Sequence, residues 1–272
     1  MVASVLVSGT SSGIGKACTR LLAESGFRVY AGVRNAEDGH KWSGNDQIVP
    51  IIFDLALPEQ IEAAVQQIAD DSETYPLTAI VNNAGVMLTG CVESMELAHV
   101  RQVFEINLFG QWHLTQLCIP LLRKTRGRII NIGSTNGRMS GPKLSAYSAS
   151  KHALEALSET LQLELAEQGI AVTVIEPGSI GTALWRKVLD WEAGRPSTDP
   201  GDADARSRRR EKLEWLRDNS RHPSEVAHVV LRALRAERPR YRYLVGRDAR
   251  LRVIIASLLP RSTRLALRRL KR

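Results

Sequence analysis

A glycine-punctuated turn, Gly9-Thr-Ser-Ser-Gly13-Ile-Gly15, constrains this chain more than any other feature. Before it, residues 4–8 form a short apolar run that reads as a buried strand. After it, residues 16–25 repeat apolar positions at helical spacing, and Gly26 follows as the residue that ends the helix. A second strand-like run covers residues 28–33. Strand, tight turn, helix and strand in that order imply parallel strands with helices on the sheet faces. The glycines permit the turn and let a phosphate approach backbone N–H groups at the helix start. The spacing is Gly-x-x-x-Gly-x-Gly, not the commoner Gly-x-Gly-x-x-Gly, but the flanking strand and helix supply the required context.

The same alternation continues. Strands are expected at residues 48–53, 77–81, 128–133, 170–175 and 241–245, which makes about seven. Helices are expected at 58–70, 96–123, 146–168 and 223–236. In the first of these, Ile61, Ala64, Val65 and Ile68 fall on one side. Between 183 and 222 the pattern breaks down into tryptophans (Trp185, Trp191, Trp215), a polar Gly/Pro/Asp tract at 194–204 and an arginine cluster. A long insertion over the carboxyl edge of a sheet is expected to serve as a lid.

Four positions stand out chemically. Tyr147 and Lys151 are four residues apart, so a helix puts them on one face, where the ammonium is expected to favour the phenolate. Ser134 closes a predicted strand at the carboxyl edge, where ligands of open α/β sheets bind. Asn107 falls in mid-helix, where its amide is locally unfavourable and marks a functional position or a kink. At the end of the second strand stands Val33-Arg34, with no acid to hold an adenine ribose. An arginine there suits the 2′-phosphate of NADP, and NAD is the alternative.

Charge is uneven. The chain carries +8 overall, yet residues 206–272 hold 21 Lys+Arg against 6 Asp+Glu. A solvated arginine-rich surface is the simplest account. Peripheral membrane contact through residues 251–272 is the alternative, and nucleic-acid binding lacks a recognisable module. No run of 18 apolar residues suggests a spanning helix, and no signal sequence is evident, so a cytoplasmic location is expected. The 3 cysteines, Cys18, Cys91 and Cys118, read as buried thiols, and no metal site is expected.

Taken in order, Gly9-x-x-x-Gly13-x-Gly15, Asn82-Asn-Ala-Gly85, Asn107, Ser134, Tyr147-x-x-x-Lys151 and Pro177-Gly178 resemble the short-chain dehydrogenase/reductase family. The resemblance covers residues 1–182 and, more loosely, extends to about 250. Ser8 departs from it, standing where the family usually has Thr. The wording of Gly127-Arg-Ile-Ile-Asn-Ile-Gly-Ser134 and Val174-Ile-Glu-Pro-Gly178 is similar to the branch that handles retinoids, steroids and other apolar alcohols and ketones. The family implies an α/β fold: one doubly wound, Rossmann-type parallel sheet with helices on both faces. Residues 1–250 would form the dinucleotide-binding and catalytic domain, including the lid at 183–222, and 251–272 a basic extension.

The resemblance also implies roles. Tyr147 would give a proton to a carbonyl oxygen or take it from an alcohol, and Lys151 would lower its pKa and hold the nicotinamide ribose. Ser134 would hold the substrate oxygen, and Asn107 would support a water linking Lys151 to solvent. Gly9, Ser11, Ser12, Gly13, Ile14 and Gly15 would surround the pyrophosphate. Arg34 would face the 2′-phosphate. Asp54 and Leu55 would border the adenine, Asn82, Ala84 and Gly85 the adenosine ribose, and Pro177, Gly178, Ile180 and Thr182 the nicotinamide. Thr135, Met139, Leu144, Ser179, Leu184 and Trp185 are candidates for the substrate pocket, with Val188, Leu189 and Trp191 adding apolar lid surface.

The expected activity is NADP(H)-dependent interconversion of a ketone and a secondary alcohol, with reduction of an apolar ketone favoured. An NAD-dependent alcohol dehydrogenase is the alternative enzyme. A cofactor-binding regulator that uses the basic tail is the alternative of another class, opposed by the intact Asn107, Ser134, Tyr147 and Lys151 set. A homodimer or homotetramer through the long helices is expected.

Overall fold

The computed structural model describes residues 2–194, 202–258, 260 and 262–263. Much of the polar tract and the end of the basic tail, 264–272, therefore lie outside the described residues. Seven strands form one parallel sheet in the order β3-β2-β1-β4-β5-β6-β7. They are β1 (Ser4–Val7), β2 (Arg28–Val33), β3 (Ile48–Ile52), β4 (Leu77–Asn82), β5 (Arg128–Ile132), β6 (Ala171–Pro177) and β7 (Arg242–Val245). The chain winds outward from β1 in both directions, which creates a crevice at the carboxyl edge beside β1 and β4.

Strand alternation builds two cores. Val5 and Val7 of β1 point to one face, with Val29, Ala31 and Val33 of β2. That face is covered by α1 (Gly13–Glu24) and α9 (Ser224–Arg235), through Cys18, Leu22, Val226 and Val230. Leu6 and Tyr30 point the other way, onto α3 (Pro58–Asp71), α5 (Gly110–Thr125) and α6 (Ser145–Leu165). The four α3 residues placed on one side, Ile61, Ala64, Val65 and Ile68, are its buried ones. Both faces of a parallel sheet are thus dry, as period-2 patterning in covered strands requires.

Several expectations need correction. The helix drawn over 96–123 is two: α4 (Leu97–Phe104) and α5, joined by a π-helical turn at Glu105–Phe109. Asn107 sits in that turn, where an amide can satisfy backbone groups outside the helix. A short helix, α2 (Ala36–His40), follows β2, with Asn35 accepting a capping bond from the Asp38 N–H. Cys18 and Cys118 are buried, but Cys91 is exposed. The insertion is mostly helical: α7 (Ala183–Ala193) and α8 (Asp202–Asn219). Finally, α10 (Arg247–Leu258) runs through residue 250 and buries Ala249 and Val253. Among the described residues no helix is long and apolar enough to cross a membrane.

Candidate active site

A cleft of about 1370 Å³ opens at the carboxyl edge of the sheet. Its floor begins at the glycine turn. Gly9 (φ +70°) and Gly13 (φ +56°) adopt left-handed backbone, which a side chain rarely tolerates. A Cβ at Gly9 would also meet Ala84 at 2.8 Å. Ser12 caps α1 without a side-chain hydrogen bond, and the first turn carries no acid. The opening N–H groups of α1 are therefore left to an anion. Gly15 serves packing instead: a Cβ there would run into the Gly9 carbonyl and Asn83.

The paired asparagines divide their work. Asn82 is buried and donates to Thr115 Oγ1 and Asn131 Oδ1, each at 2.8 Å, away from the cleft. Asn131 in turn donates to Ser158 Oγ at 2.8 Å, so this polar layer ties β4 and β5 to α5 and α6. Asn83 lines the cleft and donates to the Ser8 and Gly9 carbonyls at 2.8 and 3.1 Å. The Ser8 hydroxyl accepts from the N–H groups of Asn83 and Ala84. Asn83 and Ser8 thus fix the glycine turn. Strand alternation was the available signal, since only one of two adjacent residues can face the edge crevice.

At the far end, Ser134 and Tyr147 come together. Ser134 caps a 3₁₀ turn, Thr135–Gly137, by accepting from the Asn136 N–H at 3.1 Å. Its side chain also neighbours the Tyr147 phenol, which it biases toward the phenolate. Tyr147 lies in the first turn of α6 and Lys151 one turn on, both buried. The Lys151 ammonium donates to the Ile132 carbonyl at 2.8 Å. Burial pushes the Tyr147 pKa up and Ser134 opposes it. Burial pulls Lys151 down to about 8, against the charge of Glu155. On the phenol burial is the larger influence, and the neighbour that favours the phenolate is Ser134.

Asn107 stands behind this pair and outside the cleft. Its amide clasps Val86, accepting from the N–H at 2.8 Å and donating to the C=O at 2.9 Å, and it donates to Ser150 Oγ at 3.1 Å. It therefore joins the π turn to the loop after β4 and to α6.

Most other candidates border the cleft: Ser11 and Ile14 at the glycine turn, Arg34, Asp54 and Leu55 beyond β2 and β3, and Gly85 after β4. Pro177, Gly178, Ile180 and Thr182 border it after β6, with Thr135, Met139, Leu144 and Ser179 nearby. Leu184, Trp185 and Val188 line it from the lid, whereas Leu189 packs behind. Trp191 anchors the lid by donating to the Thr89 carbonyl at 2.8 Å, and Trp215 is exposed. Met87, Leu213 and Leu216 complete the apolar wall and were not expected. The i, i+3 pair in α8 was obscured by its arginines. Among the described residues no group of three His, Cys, Asp or Glu side chains could hold a metal.

The model of the short chain dehydrogenase family matches residues 3–193. The chain belongs to that family. This short-chain dehydrogenase is 36% identical to a 3-amino-tetrahydro-pyrrolizinone reductase of Xenorhabdus hominickii, over 91% of this chain and 88% of that one. It is 34% identical to an NADPH-dependent 3-dehydrocapnine reductase of Ornithobacterium rhinotracheale, over 89% and 87%. Human 17-beta-hydroxysteroid dehydrogenase type 2 is 31% identical over 94% of this chain and 70% of its own length. Such relatives place the short-chain dehydrogenase on the steroid-dehydrogenase-like branch. A Burkholderia cenocepacia short-chain dehydrogenase solved in complex with NADP superposes with a TM-score of 0.77, at 26% identity, covering 98% and 97%.

Proposed function

We propose that this oxidoreductase is an NADP(H)-dependent ketoreductase that reduces an apolar ketone to a secondary alcohol, with Tyr147 as the general acid. The observation that carries it is the placing of Ser134 and Tyr147 together on the cleft wall, packed against the apolar side chains of Met87, Leu144, Leu184 and Val188. Two hydroxyls on one cleft wall can hold a carbonyl oxygen and stabilise the alkoxide that develops there. A phenol kept protonated by burial can donate its proton to that oxygen.

The residues present fit a nicotinamide dinucleotide. The uncapped start of α1 and the left-handed glycines would hold the pyrophosphate. Arg34 is exposed on the cleft and would pair with a 2′-phosphate, while Val33 offers no carboxylate to a 2′-hydroxyl. The cofactor supplies the hydride when bound. The chain's own part is to orient the carbonyl by Ser134, deliver the Tyr147 proton and exclude water with the lid. Lys151, already held by Ile132, keeps a positive charge beneath the phenol. Relatives named as reductases, one of them NADPH-dependent, support this reading.

The π turn, α5 and α6 expose Phe109, Trp112 and Leu163 in turn. A second copy of the chain would cover them, which supports a homo-oligomer.

A panel of polycyclic and long-chain ketones, offered with NADPH and separately with NADH, tests the proposal by loss of reduced-nicotinamide absorbance. Faster turnover with NADPH supports it. Preference for NADH, or oxidation of alcohols with NAD and no ketone reduction, overturns it.

A further inference from the structure

Beneath the Tyr147–Lys151 pair lies a charged cluster whose residues do not line the cleft. Glu155 stands one helical turn after Lys151 on the buried side of α6, and its side chain is 13% exposed. Glu176, at the end of β6, is fully buried. Arg242 of β7 bridges the two, with Nη2 at 2.5 Å from Glu155 Oε2 and Nε at 2.6 Å from Glu176 Oε1. Arg138, which closes the Ser134 turn, reaches Glu176 Oε1 at 3.0 Å. Glu155 Oε1 also abuts Gly133, where a Cβ would lie 3.0 Å from it. The carboxyl therefore sits directly under the strand end that presents Ser134.

Two carboxyls this close in a dry site cannot both ionise cheaply. Glu155 Oε1 and Glu176 Oε2 are buried with no N–H or O–H partner. A proton shared between the two carboxyls accounts for both orphan oxygens. Arg138 and Arg242 hold the ionised member, Glu176. Glu155, bonded by Arg242 Nη2, is left as the member whose charge can change, and Lys151 is a second cation, one turn back along the helix.

We propose that Glu155 is a positioning residue for Lys151: its carboxyl, set by its neighbour Glu176, holds the charge and place of the ammonium under Tyr147. The role rests on the reading of Tyr147 and Lys151 given above. Burial and Glu176 push the Glu155 carboxyl up to about 8, the same region to which burial brings Lys151. As pH rises through that region, Glu155 becomes negative just where Lys151 would lose its proton, and so keeps the ammonium charged. The groups facing the pair are few: Tyr147 on α6, Arg138 after the Ser134 turn, Glu176 on β6, and Tyr241 and Arg242 at β7. Glu159 is felt more distantly through Tyr241. Tyr241, itself raised to about 12 by burial and these carboxylates, stays protonated throughout.

The two glutamates act on Lys151 with opposite sign, which a purely structural role would not produce. In Glu155→Gln the ammonium loses its carboxylate, so Lys151 titrates lower. In Glu176→Gln the repulsion that keeps Glu155 protonated is gone, so Glu155 ionises earlier and Lys151 titrates higher. The chain has 8 lysines, few enough to follow individually by NMR of lysine labelled with ¹³C at Cε. The Lys151 signal is assigned by its loss in Lys151→Arg. The expected result is a midpoint lowered by roughly one pH unit in Glu155→Gln and raised in Glu176→Gln. Midpoints that stay put, or that move the same way in both variants, overturn the proposal. Should Glu155→Gln not fold, the direction in Glu176→Gln decides alone. No turnover enters this measurement, so failure of the ketoreductase reading would show in the ketone panel and not here.

Discussion

The chemistry of single residues is set by burial as much as by partners. Tyr147 and Lys151 were legible from spacing, but the direction in which each titrates was not, because desolvation depends on what the lid and strand ends cover. Asn82 and Asn83 show the same limit: the motif names both, and only the pleat decides which faces the cleft. Two predictions belong here. Arg34→Glu should weaken NADPH binding at least ~10-fold and spare NADH, by placing a carboxylate where the 2′-phosphate would sit; fluorescence titration with both cofactors checks it. The second concerns Glu155, whose pKa in the folded chain is raised from 4.5 to about 8. Between those values the folded chain keeps a proton that the unfolded chain has released, so this group's contribution to stability falls as pH rises from about 5 to 8. Thermal melts across that range should show wild type losing ground to Glu155→Gln as the pH increases, and parallel curves would contradict it.

Elements were read well where periodicity was clean. The strands fell within a residue or two of their expected ends, since a covered parallel strand is an apolar run bounded by turns. The failures came where one pattern hides another. Helical period persists through a π turn, so the break at Glu105–Phe109 left only one trace, an asparagine where a helix disfavours it. Its amide makes three hydrogen bonds in the folded chain, two to Val86 and one to Ser150. Asn107→Ala would strand buried groups of Val86, so we expect a loss of roughly 1–3 kcal/mol in urea unfolding. In the lid, Trp191 donates to the Thr89 carbonyl and Thr89 donates to Glu192 Oε1 at 2.6 Å, which also receives Arg209 Nε at 2.7 Å. The two contacts of Thr89 join residues about a hundred positions apart, which no local pattern reveals. Trp191→Phe removes one of them, and a rise in KM for an apolar ketone larger than the fall in kcat is the expected outcome.

At the scale of the whole molecule, the doubly wound sheet was determined by the order of elements, and the crevice at its carboxyl edge follows from the winding. The two cores are independent of the chemistry. Leu122 is fully buried against the face covered by α3, α5 and α6, and Leu122→Ala should cost ~2–5 kcal/mol without altering cofactor preference. What the sequence left open is what the lid encloses, because the walls of that space come from four separated segments. The central claim is that this molecule moves a hydride and a proton with Tyr147 as the acid. The direct measurement pairs NADPH binding, read by fluorescence, with ketone-dependent NADPH oxidation in wild type and Tyr147→Phe. The account predicts unchanged binding and a loss of turnover of ~10²-fold or more. A variant that retains more than about a tenth of wild-type turnover would contradict it.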